Sequence, residues 1–514
     1  MPRPKTWMVL GTGSGVGKSF ITAGLCRILS GLGVRVAPFK AQNMSNNSFV
    51  TREGGEMGRA QAVQAECARI QPSVHMNPIL LKPAEDNCSQ VVIQGQVAGS
   101  MGAKEYYGMR KKIWAAIQES YNQLSREYDA LIIEGAGSPA EINLKEFDLV
   151  NFRVAEMADA RCLLVGDIDR GGVFAWLWGT LALLDESERS RIDGLIINKF
   201  RGDFKILEPG LRMLENLCVT KVVGSLPYDL DLWIEEEDTL KWEEGTKISS
   251  DSNDLDMAVL LFPRISNATD FQILVREPGV SLRIVRRPEE LGSPDLLILP
   301  GTKATVSDLQ HLKKRGLAEK IRGYVQNGGR VLGICGGYQM LGEFIEDPEG
   351  VESGASREIG LGFLPLRTRF ASEKILRRVE ARVGEIFGCS IEGKLTGYEI
   401  HMGISEPTGI DRPLFEIRAL ESGESWRKDG MRDPSGRIFG TYLHGIFDAP
   451  AFRSSFLEAL ARSVGKTRTF APPTAQTSIS LVKERNYDKL AQLLRENLDL
   501  SFLEPCWKYS SHSV

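Results

Sequence analysis

The stretch "VLGTGSGVGKSF" (residues 9–20) runs from an apolar segment, through a glycine-rich loop, into a helical pattern. Glycines allow backbone N–H groups to turn toward an anion, and the N-terminus of the helix adds a partial positive charge. Lys18 would reach the terminal phosphates of a nucleotide, and the Ser19 hydroxyl would ligate Mg²⁺. The spacing departs from GxxxxGK[ST], because the position five residues before Gly17 is Thr12. We predict a nucleotide-binding loop whose contributing residues are Thr12, Gly15, Gly17, Lys18 and Ser19.

Short apolar runs alternate with helical patterns on both sides of an acidic stretch. Runs this continuously apolar are typical of parallel strands that are covered on both faces, and the helices between them indicate doubly wound α/β sheets. The first series lies at 7–11, 34–40, 130–137, 162–169 and 194–200, and the second lies at 257–262, 282–286, 295–301 and 330–335.

The 514 residues exceed what one hydrophobic core usually organises, so we expect an α/β protein of two domains. Residues 233–256 are acidic, rich in Ser, Asn and Asp and poor in periodicity, which is typical of a linker. We therefore divide the chain into an N-terminal domain (1–232), the linker (233–256), a second domain (257–470) and a C-terminal helical extension with a polar tail (471–514).

Composition and charge exclude several classes of protein. The net charge is −4, which gives no argument for binding nucleic acid or an anionic membrane surface. The eight cysteines form no CxxC pair, which is typical of a protein kept reduced. No apolar run approaches the ~20 residues needed to span a bilayer, and the start leads straight into a strand with no room for a signal peptide. We expect a cytoplasmic protein.

Polar side chains follow several predicted strands, at the edge where open α/β sheets bind ligands. Glu134 is suited to hold Mg²⁺, or it is a solvated loop carboxylate, and Glu56 is a weaker candidate for the same metal. Asn198 and Lys199 end another strand, where they read an adenine edge or are a plain loop pair. Lys40 is a strand-end cation that could face a carboxylate or a γ-phosphate.

A second site is predicted at "RVLGICGGYQMLG" (330–342), where a strand turns sharply into a helix. Gly-Ile-Cys-Gly-Gly has the form of a nucleophile elbow, in which glycines relieve crowding and Cys335 projects from the edge of the sheet. The following helix N-terminus favours a thiolate. The N–H of Gly336 would donate to an oxyanion, and a second donor would come from the turn at Gly301 and Thr302.

A cysteine nucleophile needs a base, and the sequence contains five histidines. His444, in "GTYLHGIF", directly follows an apolar strand and is the best placed. His401, in "GYEIHMG", is the rival.

These residues together resemble known families. "GICGGYQMLG" with "GTYLHGIF" resembles a class I glutamine amidotransferase domain of the cobalamin-biosynthesis type, which has a flavodoxin-like fold. "GTGSGVGKS" resembles the phosphate loop of dethiobiotin-synthetase-like ATPases, which are P-loop NTPase-like. The segments between them are similar to the cobyric acid synthase family, and the resemblance runs from residue 6 to about 497. These segments are "APFKAQNMSNNSFVT" (37–51), "MNPILLKP" (76–83), "EGAGSPAEINL" (134–144), "DIDRGGVFA" (167–175) and "NKFRGD" (198–203).

The resemblance implies an enzyme that amidates the b, d, e and g carboxylates of adenosylcobyrinic acid a,c-diamide, a cobalt corrinoid. It implies glutamine as nitrogen donor, with ATP and Mg²⁺, and no nucleic-acid or membrane partner. Cys335 and His444 would release ammonia from glutamine. Lys40, Gln42 and Asn43 lie in the segment expected to meet the corrinoid.

The sequence departs from the wider families at two places. Many class I amidotransferases have a Glu two residues beyond the histidine, where this chain has Ile446, so the acid that orients His444 is not identified; Glu399 and Asp448 are candidates. The phosphate loop has Gly15-Val16 where Asp-Ala or Asp-Val is expected, which leaves the backbone cradle intact but removes a carboxylate.

Two alternatives stay open at this point. Cobyrinic acid a,c-diamide synthase has the same two domains and chemistry but acts on other carboxylates; "FKAQNMSNNS" and "NKFRGD" favour the cobyric acid synthase family. A non-enzymatic P-loop ATPase switch with a degenerate amidotransferase domain is the other, and the intact Cys335 elbow and His444 argue against it.

Overall fold

A computed structural model describes residues 3–85, 88–229, 231–235, 253–352, 357–391, 394–421, 424–470 and 479–504. Most of the predicted linker, 236–252, and most of the polar tail, 505–514, therefore lie outside the described residues. No helix in the described ranges is long and apolar enough to cross a membrane.

The N-terminal half is built around a parallel sheet. The described strands are β1 (Lys5–Gly11), β2 (Val36–Phe39), β3 (Gln42–Met44), β4 (Ser48–Val50), β5 (Glu56–Gly58), β6 (Ile79–Glu85), β7 (Cys88–Ile93), β8 (Gln96–Gly102), β9 (Ala130–Glu134), β10 (Arg161–Asp167), β11 (Ile192–Phe200) and β12 (Val222–Pro227). The described helices are α1 (Lys18–Gly31), α2 (Arg59–Cys67), α3 (Ala103–Gly108), α4 (Arg110–Glu127), α5 (Phe152–Ala158), α6 (Val173–Leu183), α7 (Glu186–Arg189) and α8 (Phe204–Cys218).

The strand order of this sheet is β12-β11-β10-β1-β9-β2, and each pairing along it is parallel. The apolar runs predicted to be buried strands form β1, β2, β9, β10 and β11, with helices on both faces, which confirms the predicted doubly wound sheet. Because β1 lies between β10 and β9, the loop that follows it is at the middle of the sheet edge, where ligands bind in such folds. A smaller sheet, β3-β6-β7-β8, extends from this edge.

The C-terminal half contains a second, mostly parallel sheet and a long antiparallel one. The described strands are β13 (Leu255–Leu260), β14 (Val280–Val285), β15 (Leu296–Leu299), β16 (Val331–Ile334), β17 (Phe344–Glu346), β18 (Arg357–Ile359), β19 (Leu366–Val383), β20 (Glu385–Ile386), β21 (Cys389–Ser390), β22 (Lys394–Pro407), β23 (Phe415–Ala419), β24 (Arg427–Asp429), β25 (Met431–Arg432) and β26 (Ile438–Thr441). The described helices are α9 (Gln272–Val275), α10 (Thr305–Lys314), α11 (Leu317–Gln326), α12 (Gly336–Met340), α13 (Pro450–Ser463) and α14 (Ile479–Asn497).

The order of the first sheet is β14-β13-β15-β16-β26-β25, with β25 antiparallel to its neighbour. The strand β13 begins at Leu255, inside the stretch predicted to be linker. Strands β16 and β26 are adjacent and parallel, so the segments that follow them, which contain the predicted cysteine and histidine, lie side by side.

The C-terminal helix α14 returns to the N-terminal half and packs on α1. A Cβ added to Gly24 would lie 2.6 Å from a methyl carbon of Leu494, so glycine permits the close approach of the two helices. Arg27 pairs with Glu484 and Asp488 at 2.6 and 2.8 Å. The sequence predicted this helix as an extension beyond the second domain, but its apolar face completes the core of the first.

We expect Leu494→Ala to lower the free energy of unfolding by about 2–5 kcal/mol, because it removes a buried side chain and leaves a cavity between α1 and α14. Leu494 is fully buried, whereas Leu481 on the same helix is 41 % exposed, so Leu481→Ala is the matched control. Urea denaturation measures both. Equal unfolding midpoints for the two variants would contradict the packing of α14 on α1.

Candidate active site

The phosphate loop connects β1 to α1 through glycines with left-handed backbone. Gly15 and Gly17 have φ values of 70° and 104°. A Cβ on Gly17 would overlap the side-chain nitrogen of Asn198, which itself donates to the carbonyl of Val16 at 2.9 Å. Asn198 therefore supports the loop from the neighbouring strand end, a role that the sequence interpretation of an adenine-reading amide did not include.

Two lysines are held against the loop by backbone carbonyls. The Nζ of Lys18 donates to the carbonyls of Gly13 and Gly137, at 2.7 and 3.0 Å. The Nζ of Lys199 donates to the carbonyl of Gly15 at 2.8 Å and pairs with Asp167 at 2.7 Å. Positive charge is thus concentrated where the loop would receive phosphates.

Glu134 lies at the end of β9, next to the loop, and accepts several hydrogen bonds. Its carboxylate oxygens accept hydrogen bonds from the Ser19 hydroxyl at 2.8 Å, the Lys40 Nζ at 2.9 Å and the Gln64 Nε2 at 2.5 Å. Burial raises the pKa of Glu134, but the charge of Lys40 and these hydrogen bonds outweigh it and lower the pKa below its usual value. Glu134 is therefore a buried, ionised carboxylate in contact with the Ser19 hydroxyl.

The donor set of Glu134 and Ser19 suits Mg²⁺, which prefers oxygen ligands and is commonly held by one or two carboxylates together with substrate phosphates. Within the described ranges, no group of three or more His, Cys, Asp or Glu could hold a metal by itself. The oxygen donors of Glu134 and Ser19 therefore fit a Mg²⁺ ion that also binds substrate phosphates.

A cavity of about 540 Å³ opens beside the loop. The predicted residues on its wall are Gly15, Gly17, Lys18, Ser19, Lys40, Asn43, Glu134 and Asn198. Thr12 is not on this wall, and its N–H bonds to the carbonyl of Val165 at 2.9 Å, so it continues the sheet. Arg276, from the C-terminal half of the chain, also lines the cavity.

A second cavity, of about 260 Å³, adjoins the first, and both are lined by Ala136 and Gly137. Gln42 lines this second cavity and accepts a hydrogen bond from the hydroxyl of Tyr106. Of the three residues predicted to meet the acceptor, Lys40 and Asn43 thus face the first cavity and Gln42 faces the second.

Glu56, the weaker metal candidate, lies elsewhere, at the contact between the two halves. Its carboxylate is fully buried and pairs with Lys82 at 2.7 Å and with Lys374 of β19. Burial raises the pKa of Glu56, but the two lysines lower it far below its usual value. It joins the two halves of the chain and is absent from the wall of the cavity beside the phosphate loop.

Cys335 lies at the turn between β16 and α12 with φ 51° and ψ −110°, a strained conformation for a residue with a side chain. A Cβ on Gly337 would overlap the carbonyl oxygen of Leu299, and one on Gly336 would lie 2.7 Å from Thr302. The glycines therefore allow the tight turn that the elbow motif predicts.

His444 is completely buried and is oriented by Asp270, while the thiol of Cys335 lies 3.6 Å from the carbonyl of Ile400. Its Nδ1 lies 2.7 Å from an oxygen of Asp270, and its ring stacks on Tyr398 with centroids 5.2 Å apart. Because a carboxylate only accepts, the Nδ1–H faces Asp270 and Nε2 is left for the thiol. Burial lowers the pKa of His444, but the charge of Asp270 and its hydrogen bond to the ring raise it to about 10.

Asp270 was not predicted from the sequence, where it lies 174 residues before His444 in no recognisable motif. Its other oxygen accepts the N–H of Gly445 at 2.9 Å. The two acids suggested from the sequence are differently engaged: Glu399 pairs with Arg427 and lies 3.6 Å from His401. Asp448 lies close to Gly445, within 3.4 Å of the position that a Cβ there would occupy.

The rival histidine, His401, is a packed residue. Its Nδ1 lies 2.7 Å from the carbonyl of Gly403, and its ring stacks on Tyr442 with centroids 3.7 Å apart. His444, by contrast, has the orienting carboxylate that a general base needs.

The residues predicted to form the oxyanion hole lie close to Thr302 and to the ring of His444. The N–H of Thr302 lies 3.1 Å from the position of a Cβ on Gly336, so the two backbone segments are adjacent. A Cβ on Gly301 would lie 3.1 Å from the ring of His444. Gly301 thus gives the histidine ring its space, and the oxyanion role of Gly301 and Gly336 stays a prediction.

Comparisons with known proteins match both halves. Residues 7–240 match the family model of a CobQ/CobB/MinD/ParA nucleotide binding domain, and residues 256–452 match that of a CobB/CobQ-like glutamine amidotransferase domain. The chain is 47 % identical over 504 residues to the cobyric acid synthase of Alkaliphilus metalliredigens, covering 96 % of this chain and 98 % of that one. It is also 47 % identical to the cobyric acid synthase of Sorangium cellulosum, covering 97 % and 98 %.

We expect Asp270→Asn to reduce glutamine-dependent turnover on the order of 10²–10⁴-fold, because the amide no longer fixes the tautomer of His444 or stabilises its charged form. Turnover with ammonia as nitrogen source should be retained. Steady-state rates with each donor measure the effect.

Glu399→Gln is the matched control, since Glu399 is also buried beside a histidine but does not face His444. Equal losses of glutamine-dependent turnover in the two variants would contradict the assignment of Asp270.

Proposed function

We propose, from the premise that this chain belongs to the cobyric acid synthase family and is a glutamine amidotransferase, that it amidates the b, d, e and g carboxylates of adenosylcobyrinic acid a,c-diamide. Glutamine supplies nitrogen and ATP supplies the activating phosphoryl group. The observation that carries this proposal is the presence, in one chain, of a buried Cys-His-Asp cluster and a lysine-lined phosphate loop.

In the first half-reaction, Cys335 attacks the side-chain carbonyl carbon of glutamine. His444 holds the proton taken from the thiol and returns it to the departing nitrogen as the C–N bond breaks, which releases ammonia. Water then adds to the glutamyl thioester, the C–S bond breaks, and glutamate leaves. Support comes from the strained elbow at Cys335 and the 2.7 Å contact between His444 and Asp270.

In the second half-reaction, an acceptor carboxylate oxygen attacks the γ-phosphorus of ATP, and ADP leaves. Ammonia adds to the carbonyl carbon of the acyl phosphate, and phosphate departs to leave an amide. Lys18 orients the phosphates, and Ser19 with Glu134 would hold Mg²⁺, which when bound neutralises charge on the phosphate oxygens. Lys40 holds Glu134 ionised for that role.

The acceptor would lie over the second cavity, with one carboxylate arm directed toward the phosphate loop. Two large apolar side chains of its lining are exposed to solvent, Leu144 at 44 % and Phe147 at 40 %. Tyr107 contacts Phe147 with ring centroids 4.9 Å apart. Exposed apolar patches of this kind mark binding surfaces, and a corrin macrocycle presents apolar edges between its polar arms.

The direct test is mass spectrometry of adenosylcobyrinic acid a,c-diamide after incubation with the protein, ATP, Mg²⁺ and glutamine. We expect four successive decreases of about one mass unit, as each –OH is replaced by –NH₂ through the activated carboxylate. An unchanged mass would overturn the proposal.

Variants at the two sites serve as controls for each other. Cys335→Ala should lose glutamine-dependent amidation and keep amidation with ammonia, because only ammonia release is removed. Lys18→Ala should lose amidation with either nitrogen source, because the acceptor is no longer activated. Survival of both glutamine-dependent rates would contradict the division of chemistry between the sites.

A further inference from the structure

The helices α6 and α8 present an apolar surface to solvent beside β10, β11 and β12. These strands are successive parallel neighbours, and right-handed connections place the helices that join them on one face of the sheet. The eleven residues of α6 include no charged side chain. Its inner side packs on the sheet through Val173, Leu177 and Leu181, yet its outer side is apolar as well. A helix that is apolar all round is typically covered on both sides.

The outer side of α6 carries large side chains that are in contact with water. Four of them are between 38 and 50 % exposed, namely Phe174, Trp176, Trp178 and Leu183. Aromatic residues are enriched at protein interfaces, where they supply a large contact area. The outer side of α6 therefore has the composition of a contact surface.

The outer side of α8 continues this surface. Ile206, Met213 and Leu217 are spaced by seven and four residues, so they form a stripe along one side of the helix. Gly210 lies on the same stripe, and a Cβ added there would be 3.0 Å from the ring of Phe174. The stripe on α8 and the outer side of α6 therefore adjoin each other.

Two further side chains, Phe204 and Val219, lie at the two ends of α8. Together with the stripe they make five large apolar side chains of this segment that are 49 to 92 % exposed. We call these five and the four exposed side chains of α6 the α6–α8 patch.

The area of the α6–α8 patch matches one side of a stable protein interface. A large apolar side chain presents about 150–200 Å² when fully exposed, so the nine present on the order of 800–1,000 Å² at these fractions. The largest apolar patch of a typical monomer is about 300–600 Å². An interface of standard size takes about 800 Å² from each partner.

A second copy of the chain offers a surface that matches the patch. Each of the other described helices carries at most one exposed large apolar side chain, so they build no second patch of comparable area. A two-fold contact places the same patch on both sides of the interface, and it therefore needs no other apolar surface.

The charges at the edge of the patch argue against a lipid surface. Lys205 and Arg212 share α8 with Glu208, and Arg212 pairs with Glu208 at 2.6 Å. A helix that lies on an anionic membrane is rich in Lys and Arg on its polar face. Charges of both signs around an apolar centre are instead typical of the polar rim of a protein interface.

We propose that the α6–α8 patch is the interface of a two-fold homodimer. Each protomer buries its patch against the same patch of its partner, which removes the exposed tryptophans from water. None of the nine side chains lines either cavity, so the dimer leaves the phosphate loop and the second cavity accessible. This interface is independent of the proposed function.

Sedimentation equilibrium of the full chain over a range of concentrations tests the proposal. We expect a dimer at micromolar concentrations, since interfaces of this size bind at that strength or tighter. Met213→Glu should raise the dissociation constant on the order of 100-fold or more, because the two-fold axis introduces the buried, unpaired charge twice. Met213 is 70 % exposed in one protomer, so the new carboxylate is solvated in the monomer and the fold is kept.

Ile410→Glu is the matched control, because Ile410 is 69 % exposed but lies in the second half of the chain, outside the patch. It should keep the wild-type dissociation constant, and circular dichroism checks that both variants are folded. Hydrogen exchange then locates the interface. In the wild type, the amides of α6 and α8 should exchange more slowly above the dissociation constant than below it, whereas those of α10 and α11 should not depend on concentration.

A wild-type chain that stays monomeric at the highest concentration would overturn the inference, whether or not it binds phospholipid vesicles. A dimer whose dissociation constant is unchanged by Met213→Glu, or whose concentration-dependent protection lies on other helices, would overturn it as well. These measurements use no nucleotide, glutamine or acceptor. Their outcome is therefore separate from failure of the proposed function, in which the wild-type protein would form no amide from glutamine.

Discussion

The hydrogen bond between Asp270 and His444 organises the site that we propose hydrolyses glutamine. The elbow at Cys335 forms locally, from glycines that allow a tight turn, but a thiol in that position is a weak nucleophile until a base is oriented toward it. Asp270 orients the ring through one oxygen and the backbone of the histidine loop, at Gly445, through the other. Because Asp270 and His444 are both buried, water screens their charges poorly, and removing one partner would leave the charge of the other unpaired.

The turn that contains Asp270 also joins the two halves of the molecule. Asn267 lies three residues before Asp270 and binds Ser48 across the interface, while Arg276 lies six residues after Asp270 and lines the cavity beside the phosphate loop. The ion pair of Lys374 with Glu56 crosses the same interface, and α14 brings the end of the chain back onto α1. The two halves therefore form a single connected body in which one short segment touches both sites.

The features that lie within one short stretch of the chain were predicted from the sequence. The phosphate loop and the cysteine elbow are contiguous motifs, and the rule that parallel strand ends meet at one edge correctly brought Glu134 close to Ser19. Asp270 was missed because its partner is distant in sequence and no motif relates them. The place of α14 was also missed, since an amphipathic pattern indicates that a face is buried but not against which core.

The phosphate-loop motif did not predict what each of its residues contacts. Thr12 falls within the motif, yet its backbone continues the sheet instead of facing the cavity, and the Asn198 amide holds the loop.

We propose that ammonia released at Cys335 is consumed at the phosphate loop of the same molecule. The most direct measurement supplies glutamine labelled with ¹⁵N in its amide together with unlabelled ammonium at equal concentration. Coupled sites predict product amides that carry mainly ¹⁵N, whereas amides with the isotope composition of the bulk ammonium would contradict the claim.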